Sequence, residues 1–294
     1  MPSRQIPPFR YATFDSLSSS TASLVRSADH AIPVLRRYAA DLLSTTVRRV
    51  STSKAFQQLD APFDRLIHPL SRFVVRANHA DRDVSHRVAR ERSALAGLEP
   101  DGAELCRGSY SDFRSTLERL ATAVVDSPNH IRESVVVGTS YDPAGNRWLY
   151  LPPNIVDQEL QRLWRVVQSD RSGSPVFLAA IVMTALLTIH PFTDGNGRTS
   201  RALANLLIFG DAAIARDNYI PFKDLMAISQ SGFEIACNQA RYFGRVAIIC
   251  RWMANAVLLI HELQLRELDV IQELPGFGAM AHRSRAVAAP PTME

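Results

Sequence analysis

The sequence predicts a mainly α protein interrupted by one β-hairpin, and three observations carry that expectation. Apolar residues recur at three- and four-residue spacing through most of the chain, the period of helices with one buried face. One nearly unbroken apolar run, Val176 to Ile189, spans about 14 residues; that is short of the roughly 20 that cross a bilayer, so it reads as a core helix and no membrane partner is expected. One stretch breaks the helical period. SVVVG (134–138) is a β-branched run, TSYDPAGN supplies turn residues, and RWLYL (147–151) alternates before Pro152 and Pro153 end it.

Taken in order, residues 1–30 are rich in Ser, Thr and Pro and are expected to be weakly ordered. A helical N-terminal extension is expected over 31–110. Its first helix follows IPVLRRYAADLLSTTVRRV from Ile32, a second covers Phe63 to Ala77 and a third Val84 to Leu98. The main helical domain, which carries the motif described below, is expected over 111–268. Its helices are read at Ser111–Val125, Ile155–Ser169, Val176–Ile189, Thr199–Phe209, Phe222–Ser229, Ser231–Ala240 and Tyr242–Leu268. Residues 269–294 read as a C-terminal tail, with tail composition plainest over 279–294.

Composition narrows the function. With 294 residues, 46% hydrophobic and 21% charged, the chain is neither disordered nor collagen-like. A net charge of +4 does not call for nucleic acid as a partner. Only two lysines occur, Lys54 and Lys223, so the basic side is nearly all arginine, whose planar fork suits phosphate and carboxylate. Cys106, Cys237 and Cys250 lie far apart without CxxC spacing, which argues against a disulfide framework or a zinc site. The first residues lack a continuous apolar core of a signal peptide, so a bacterial cytoplasmic location is expected, with delivery into a host cell left open. His68, His79 and His86 read as part of a solvated helix face, and HELQL at His261 lacks the second histidine of a zinc protease motif.

The chemistry concentrates at 190–201, HPFTDGNGRTSR, between two apolar helices. Gly195 and Gly197 can take positive φ, so the backbone from Asp194 to Arg198 can form a nest of N–H groups where the helix dipole also favours an anion. Arg198 and Arg201 are three apart in the first turn of the following helix and can address one polyphosphate. Asp194 is placed to hold the Mg²⁺ that accompanies such a group. His190 ends the preceding helix and can take a proton from an attacking hydroxyl. Asn196 has a side chain able to donate to a phosphate oxygen. Pro191 and Phe192 read as loop anchors. The bland readings are a satisfied histidine at a helix end, Asp194 as an N-cap and two surface arginines.

HPFTDGNGRTSR resembles the HPFx[D/E]GNGRxxR signature of the Fic family, with every specified position matched. VVVGTSYDPAGNRWLYLPPNIVDQELQRLW is similar to the hairpin, or flap, and following helix that precede that signature, so the resemblance covers roughly 130–260. It implies a Fic-type helical bundle with a β-hairpin flap, and a protein adenylyltransferase that moves AMP from ATP to a Ser, Thr or Tyr hydroxyl of a target protein. On that resemblance His190 is the general base and Asp194 the Mg²⁺ ligand. Gly195, Asn196, Gly197 and Arg198 form the anion hole at the α- and β-phosphates, and Arg201 reaches the γ-phosphate. Val136, Val137, Gly138 and Thr139 of the flap would clamp the target by strand addition. Transfer of UMP, GMP, phosphate or phosphocholine on the same scaffold is the alternative, as is a noncatalytic binding module. The role of a toxin or a secreted effector and self-association into a homo-oligomer are both compatible with the sequence.

Many members of that family carry an inhibitory helix, [S/T]xxxE[G/N], whose glutamate pairs with the second arginine. The stretch RERSALAGLEP resembles its common SSxIEG form when aligned on Arg92, Ser93, Ala94, Leu95, Ala96 and Gly97, which puts Ala96 where the glutamate belongs. Arg201 is therefore expected to lack a carboxylate partner from its own chain. That leaves an unrestrained enzyme, or an antitoxin supplying the glutamate in trans, ahead of a shifted residue such as Glu99 or Glu104.

Overall fold

A computed structural model of the chain describes residues 3–35, 63–69, 84–98, 108–141, 147–170, 172–229 and 231–273. The described elements are β1 (Ser3–Gln5), α1 (Ser19–Ala31), α2 (Val84–Ala96), α3 (Tyr110–Val125), β2 (Val137–Tyr141), β3 (Arg147–Leu149), α4 (Pro153–Ser169), α5 (Pro175–Ile189), α6 (Asn196–Phe209), α7 (Ala212–Asp217), α8 (Phe222–Ile228), α9 (Gly232–Phe243) and α10 (Val246–Glu273). The mainly α expectation holds.

Helix α5 is the axis. Every residue from Val176 to Leu186 is buried, as a helix apolar all round must be, and α1, α4, α6, α9 and α10 pack on it. Its start is fixed twice over. Ser174 Oγ accepts the Phe177 N–H at 3.2 Å, and Asp29, reaching across from α1, accepts the Val176 N–H at 3.0 Å. Two orphan donors of the first turn are thereby satisfied. Helix α3 opens on a capping box, with the Ser109 N–H donating to Asp112 at 2.7 Å.

Helix α2 packs on α3, α6 and α7. Its inner stripe is Val88, Glu91, Leu95, with Leu98 just beyond its end; the last three are at most 1% exposed. A carboxylate therefore occupies one position of an otherwise apolar seam.

Two strands do pair here, with β2 antiparallel to β3 and an irregular register between Val137 and Tyr141. Strand β2, however, begins at Val137 and runs through Thr139–Tyr141, where the sequence reads as turn, and β3 ends at Leu149 rather than 151. The sheet has a third strand. β1 runs parallel to β3, giving the order β1-β3-β2. Together β1 and α1 structure residues within 3–31 where composition suggested weak order: Val25 and Ala28 of α1 are fully buried against the core. Helix α7 was not anticipated either. Helix α9 continues to Phe243 and α10 begins only at Val246, because Gly244 takes a left-handed conformation (φ 66°) that separates them. Most of the helix read from Ile32, the part of Phe63–Ala77 beyond a short 3₁₀ turn at Phe63–Leu66, and the tail at 279–294 lie outside the described residues.

Candidate active site

The loop between α5 and α6 is built around three backbone features. His190 ends α5 in the left-handed region (φ 54°) while its N–H donates to the Leu186 carbonyl at 2.8 Å. A bulky residue at positive φ is uncommon and concentrates at functional sites. Gly195 also takes positive φ (78°), and a Cβ there would sit 2.6 Å from Val125 Cγ1, so both conformation and space require glycine. Asn196 then spends both ends of its amide on Phe192, accepting its N–H at 2.9 Å and donating to its carbonyl at 2.7 Å. Those bonds start α6 three residues earlier than expected. They also correct the expected role of Asn196: its side chain braces the loop, which leaves its main-chain N–H to face an anion.

Gly197 departs from expectation in another way. It lies inside α6 without positive φ, and a Cβ on it would meet Arg201 Nη1 at 3.2 Å. The absent side chain keeps the approach to the Arg201 guanidinium open. The loop is tied to the segment after α3 by Asn129, whose Nδ2 donates to the Asp194 carbonyl at 3.0 Å and whose N–H donates to Thr122 Oγ1 of α3 at 3.1 Å. It is tied to α3 itself by Arg198, whose Nη1 donates to the Val124 carbonyl at 2.9 Å.

A cavity of about 780 Å³ lies over this loop. His190, Asp194, Gly195, Asn196, Gly197, Arg198 and Arg201 all line it, so every core residue read from the motif is brought to one place. Val136, Val137 and Gly138 of the hairpin form the opposite wall, and Thr139 continues β2. Arg90, Thr193, Lys223 and Tyr150 line it as well, none of them anticipated. Tyr150 stacks on the His190 imidazole, with ring centroids 3.7 Å apart and planes inclined by 16°.

Burial, first, and the positive charges of Arg132 and Arg241 push the His190 pKa down to about 4; the Leu187 carbonyl and Asp194 oppose the shift. The imidazole is therefore neutral near pH 7. Its Nδ1 is buried without a well-formed hydrogen bond.

Asp194 carries a largely exposed carboxylate. Its Oδ2 accepts from Arg198 Nη2 at 2.8 Å and its Oδ1 from the Gly195 N–H at 2.6 Å. Among the described residues no group of three His, Cys, Asp or Glu side chains could cage a metal. One cavity-facing carboxylate is nevertheless what Mg²⁺ needs when phosphates supply most of its ligands, so the residues present fit that ion only together with a polyphosphate.

Arg201 overturns an expectation. Its guanidinium donates from Nε to the two carboxylate oxygens of Glu91 at 3.1 and 3.2 Å, and from Nη2 to Oε1. The Tyr219 hydroxyl donates to Glu91 Oε2 at 2.6 Å. Burial disfavours the charge on Arg201, but the Glu91 carboxylate outweighs it and the Arg201 pKa rises. Burial and then the Glu91 charge hold the Tyr219 pKa well above the ordinary range, so the hydroxyl stays a donor. The partner of Arg201 thus comes from its own chain and is Glu91; Glu99 and Glu104 lie outside the described residues. The alignment was displaced: Glu91 lies inside the quoted stretch but has Arg87 four residues before it and Arg92 after it, where the pattern has Ser or Thr and Gly or Asn.

Residues 105–208 match the Fic/DOC family, a span that includes the hairpin, α5 and the whole loop. They form a Fic/DOC family domain. The fold agrees beyond that span: a crystal structure of a Fic family protein from Desulfovibrio desulfuricans G20 superposes over 90% of this chain and 79% of its own with a TM-score of 0.55 at 14% identity. Sequence similarity is more local. A Fido domain-containing protein of Dictyostelium discoideum is 38% identical over 69 residues, 22% of this chain and 48% of that protein. Protein adenylyltransferase Fic of Drosophila ananassae is 48% identical over 63 residues, 20% of this chain and 13% of that protein. The matched part of this chain thus spans about half of the first relative and about an eighth of the second.

Proposed function

We propose that the chain is a protein adenylyltransferase, transferring AMP from ATP to a hydroxyl side chain of a target protein, and that Glu91 holds it in a restrained state. The observation that carries this reading is the convergence on one cavity of a neutral histidine, two arginines and a glycine-led helix N-terminus. The adenylyltransferases among its relatives support the choice of donor.

In this reading the α6 N-terminus and Arg198 hold the α- and β-phosphates. Asp194 would hold Mg²⁺, which supplies charge neutralisation to the departing pyrophosphate. His190 takes the proton of the attacking hydroxyl as the oxygen bonds to the α-phosphorus and the bond to the β-phosphate oxygen breaks. A base with a pKa of about 4 is weak. The negative charge of a bound triphosphate raises the proton affinity of the imidazole and makes it a better acceptor. The exposed edge of β2 beside Val136 and Val137 is suited to receive the target backbone as an added strand.

Arg201 is placed to reach the γ-phosphate only after it leaves Glu91. The restraint is therefore supplied in cis at the position where an antitoxin glutamate would otherwise act.

The test incubates the purified protein, Glu91→Gly and His190→Ala/Glu91→Gly with labelled ATP, GTP, UTP and CTP in Mg²⁺, and reads modified protein by mass spectrometry. A mass gain of one AMP in Glu91→Gly that falls by about 10²–10⁴-fold without His190 is expected. Transfer from another nucleotide changes the donor, and transfer that survives loss of His190 overturns the mechanism.

A further inference from the structure

We propose that Arg132 is a positioning residue for His190, joining the hairpin that carries β2 and β3 to the backbone of the histidine. This rests on the reading of His190 as the base.

Arg132 precedes β2 and its residue is only 3% exposed. A buried guanidinium ordinarily meets a carboxylate. This one spreads over main-chain carbonyls instead. Nε donates to the His190 carbonyl at 2.7 Å, Nη1 to Ser134 at 2.8 Å, and Nη2 to Leu151 at 2.6 Å and Ile189 at 3.4 Å. Its own N–H donates to the Pro191 carbonyl at 2.9 Å. One side chain therefore holds the roots of both hairpin strands, at 134 and 151, together with the end of α5 and the catalytic loop.

The carbonyl it takes from His190 belongs to a residue at φ 54°, a conformation that needs external support. The hairpin reaches the same residue by a second route. Tyr150, whose N–H bonds to the Val136 carbonyl at 3.2 Å, lays its ring on the imidazole at 3.7 Å between centroids. Backbone and ring of His190 are thus both referenced to the hairpin, and a segment that docks on β2 acts on a wall rigidly connected to the base. A lysine would keep the charge but present only one nitrogen where the fork serves several directions.

The charged groups acting on His190 are Arg132 from the hairpin root, Arg241 from α9 and Asp194 from its own loop. Tyr150 stacks on it, and Tyr242 of α9 acts on Tyr150. Arg241 bonds the Leu187 carbonyl and Thr188 Oγ1 at the end of α5 and, among the described residues, no hairpin carbonyl, although its charge also acts on Tyr150. Its loss therefore serves as a control for charge without linkage.

The experiment uses the full chain as Arg132→Lys, Arg132→Met and Arg241→Met, with amide hydrogen exchange and an NMR titration of the His190 ring assigned by His190→Ala. None of these readouts requires turnover, so failure of the adenylyltransferase reading would appear separately, as no transfer in Glu91→Gly. In Arg132→Lys, exchange should rise about tenfold or more in both 134–138 and 189–192, the factor expected from lost charge-assisted hydrogen bonds. Arg132→Met should raise the His190 pKa by about one unit, since a positive neighbour has gone, whereas Arg132→Lys should leave it near the wild-type value. Arg241→Met should raise the pKa without loosening 134–138. If Arg132→Met does not fold, the lysine variant decides alone: loosening of only one segment, or of neither, overturns the proposal.

Discussion

Arg198 and Arg201 stand one turn apart on the same helix, line the same cavity and each pair with a carboxylate, yet the two pairs are physically opposite. Arg198 meets Asp194, four residues away on its own loop, and that carboxylate is 77% exposed. Arg201 meets Glu91, 110 residues away on α2, and the Glu91 side chain is fully buried. A solvated local pair is worth about 0–1 kcal/mol and exchanges its partner readily. A buried one is weakly stabilising as a unit but costly to break from one side. The two arginines therefore differ in availability: Arg198 can offer Nη2 to a phosphate by giving up an exposed carboxylate while Nη1 stays on the Val124 carbonyl, and Arg201 must first give up the buried Glu91. In the proposed reading, substrate affinity and restraint fall to separate residues of one turn.

Removing Glu91 should give the largest effect. Glu91→Ala leaves Arg201 charged and buried without its bonded carboxylate, with Asp224 the acidic group still acting on it, and strips Tyr219 of its acceptor, so a loss of about 3–5 kcal/mol is expected in denaturant unfolding. The freed guanidinium should at the same time raise transfer by about 10²-fold, the scale of one charge donor at a site of developing negative charge. A variant that is less stable but no more active would reduce the pair to a structural contact.

The contrast between buried and open charge extends to His190 and gives a pH prediction of about 3 kcal/mol. Its folded pKa is about 4 against 6.5 for the free side chain. The unfolded chain thus binds the proton first as pH falls, so this contribution is intact above about pH 6.5 and is lost as pH falls toward 4. His190→Gln should flatten that part of the stability profile, and a profile unchanged by the substitution would contradict the burial assigned to the ring.

A smaller effect belongs to Tyr219, which holds the far side of Glu91. Asn205 keeps it there by accepting the Ile220 N–H at 2.6 Å and donating to the Ile220 carbonyl at 3.1 Å. Tyr219→Phe removes one hydrogen bond to a charged acceptor, so about 1.5–3 kcal/mol of stability is expected to go. Part of it should reappear as faster transfer, because Glu91 is then held by Arg201 alone. Equal activity at lower stability would mean that Arg201 by itself keeps Glu91 engaged.

The arrangement of α5, the loop and α6 was legible because each rests on local chemistry: an all-apolar run, a glycine that must turn and arginines in a first turn. The hairpin was legible in outline, through its β-branched run and paired prolines. Its first strand lies mostly beyond that run, at Val137–Tyr141, because pairing with β3 rather than β-branching sets where it starts. What escaped depends on contacts between distant segments. β1 is three residues long and exists only because β3 offers an edge. Tyr150 and Arg132 matter through where the hairpin folds back, which spacing alone does not fix. Glu91 was hidden by reliance on a short pattern whose flanking positions are here arginines. Its signal lay in periodicity, since Val88, Glu91, Leu95 and Leu98 form one stripe and a carboxylate among apolar neighbours on such a stripe demands a buried cation.

The exposed pair sets the lower end of the scale. Asp194→Asn keeps the shape of the side chain and an oxygen able to accept the Gly195 N–H that Asp194 now takes at 2.6 Å. It removes only a solvated ion pair with Arg198, so the change in unfolding free energy should stay within about 1 kcal/mol. Its effect on nucleotide binding should be larger than its effect on the fold, because the carboxylate is the single acidic ligand lining the cavity among the described residues. Titrating ATP into Glu91→Gly and Glu91→Gly/Asp194→Asn, with and without Mg²⁺, separates the two roles. If Asp194 serves the metal, the ion strengthens binding in the first protein and has little effect in the second. If Asp194 only orients Arg198, both proteins respond to Mg²⁺ alike, and the loss appears equally in its absence.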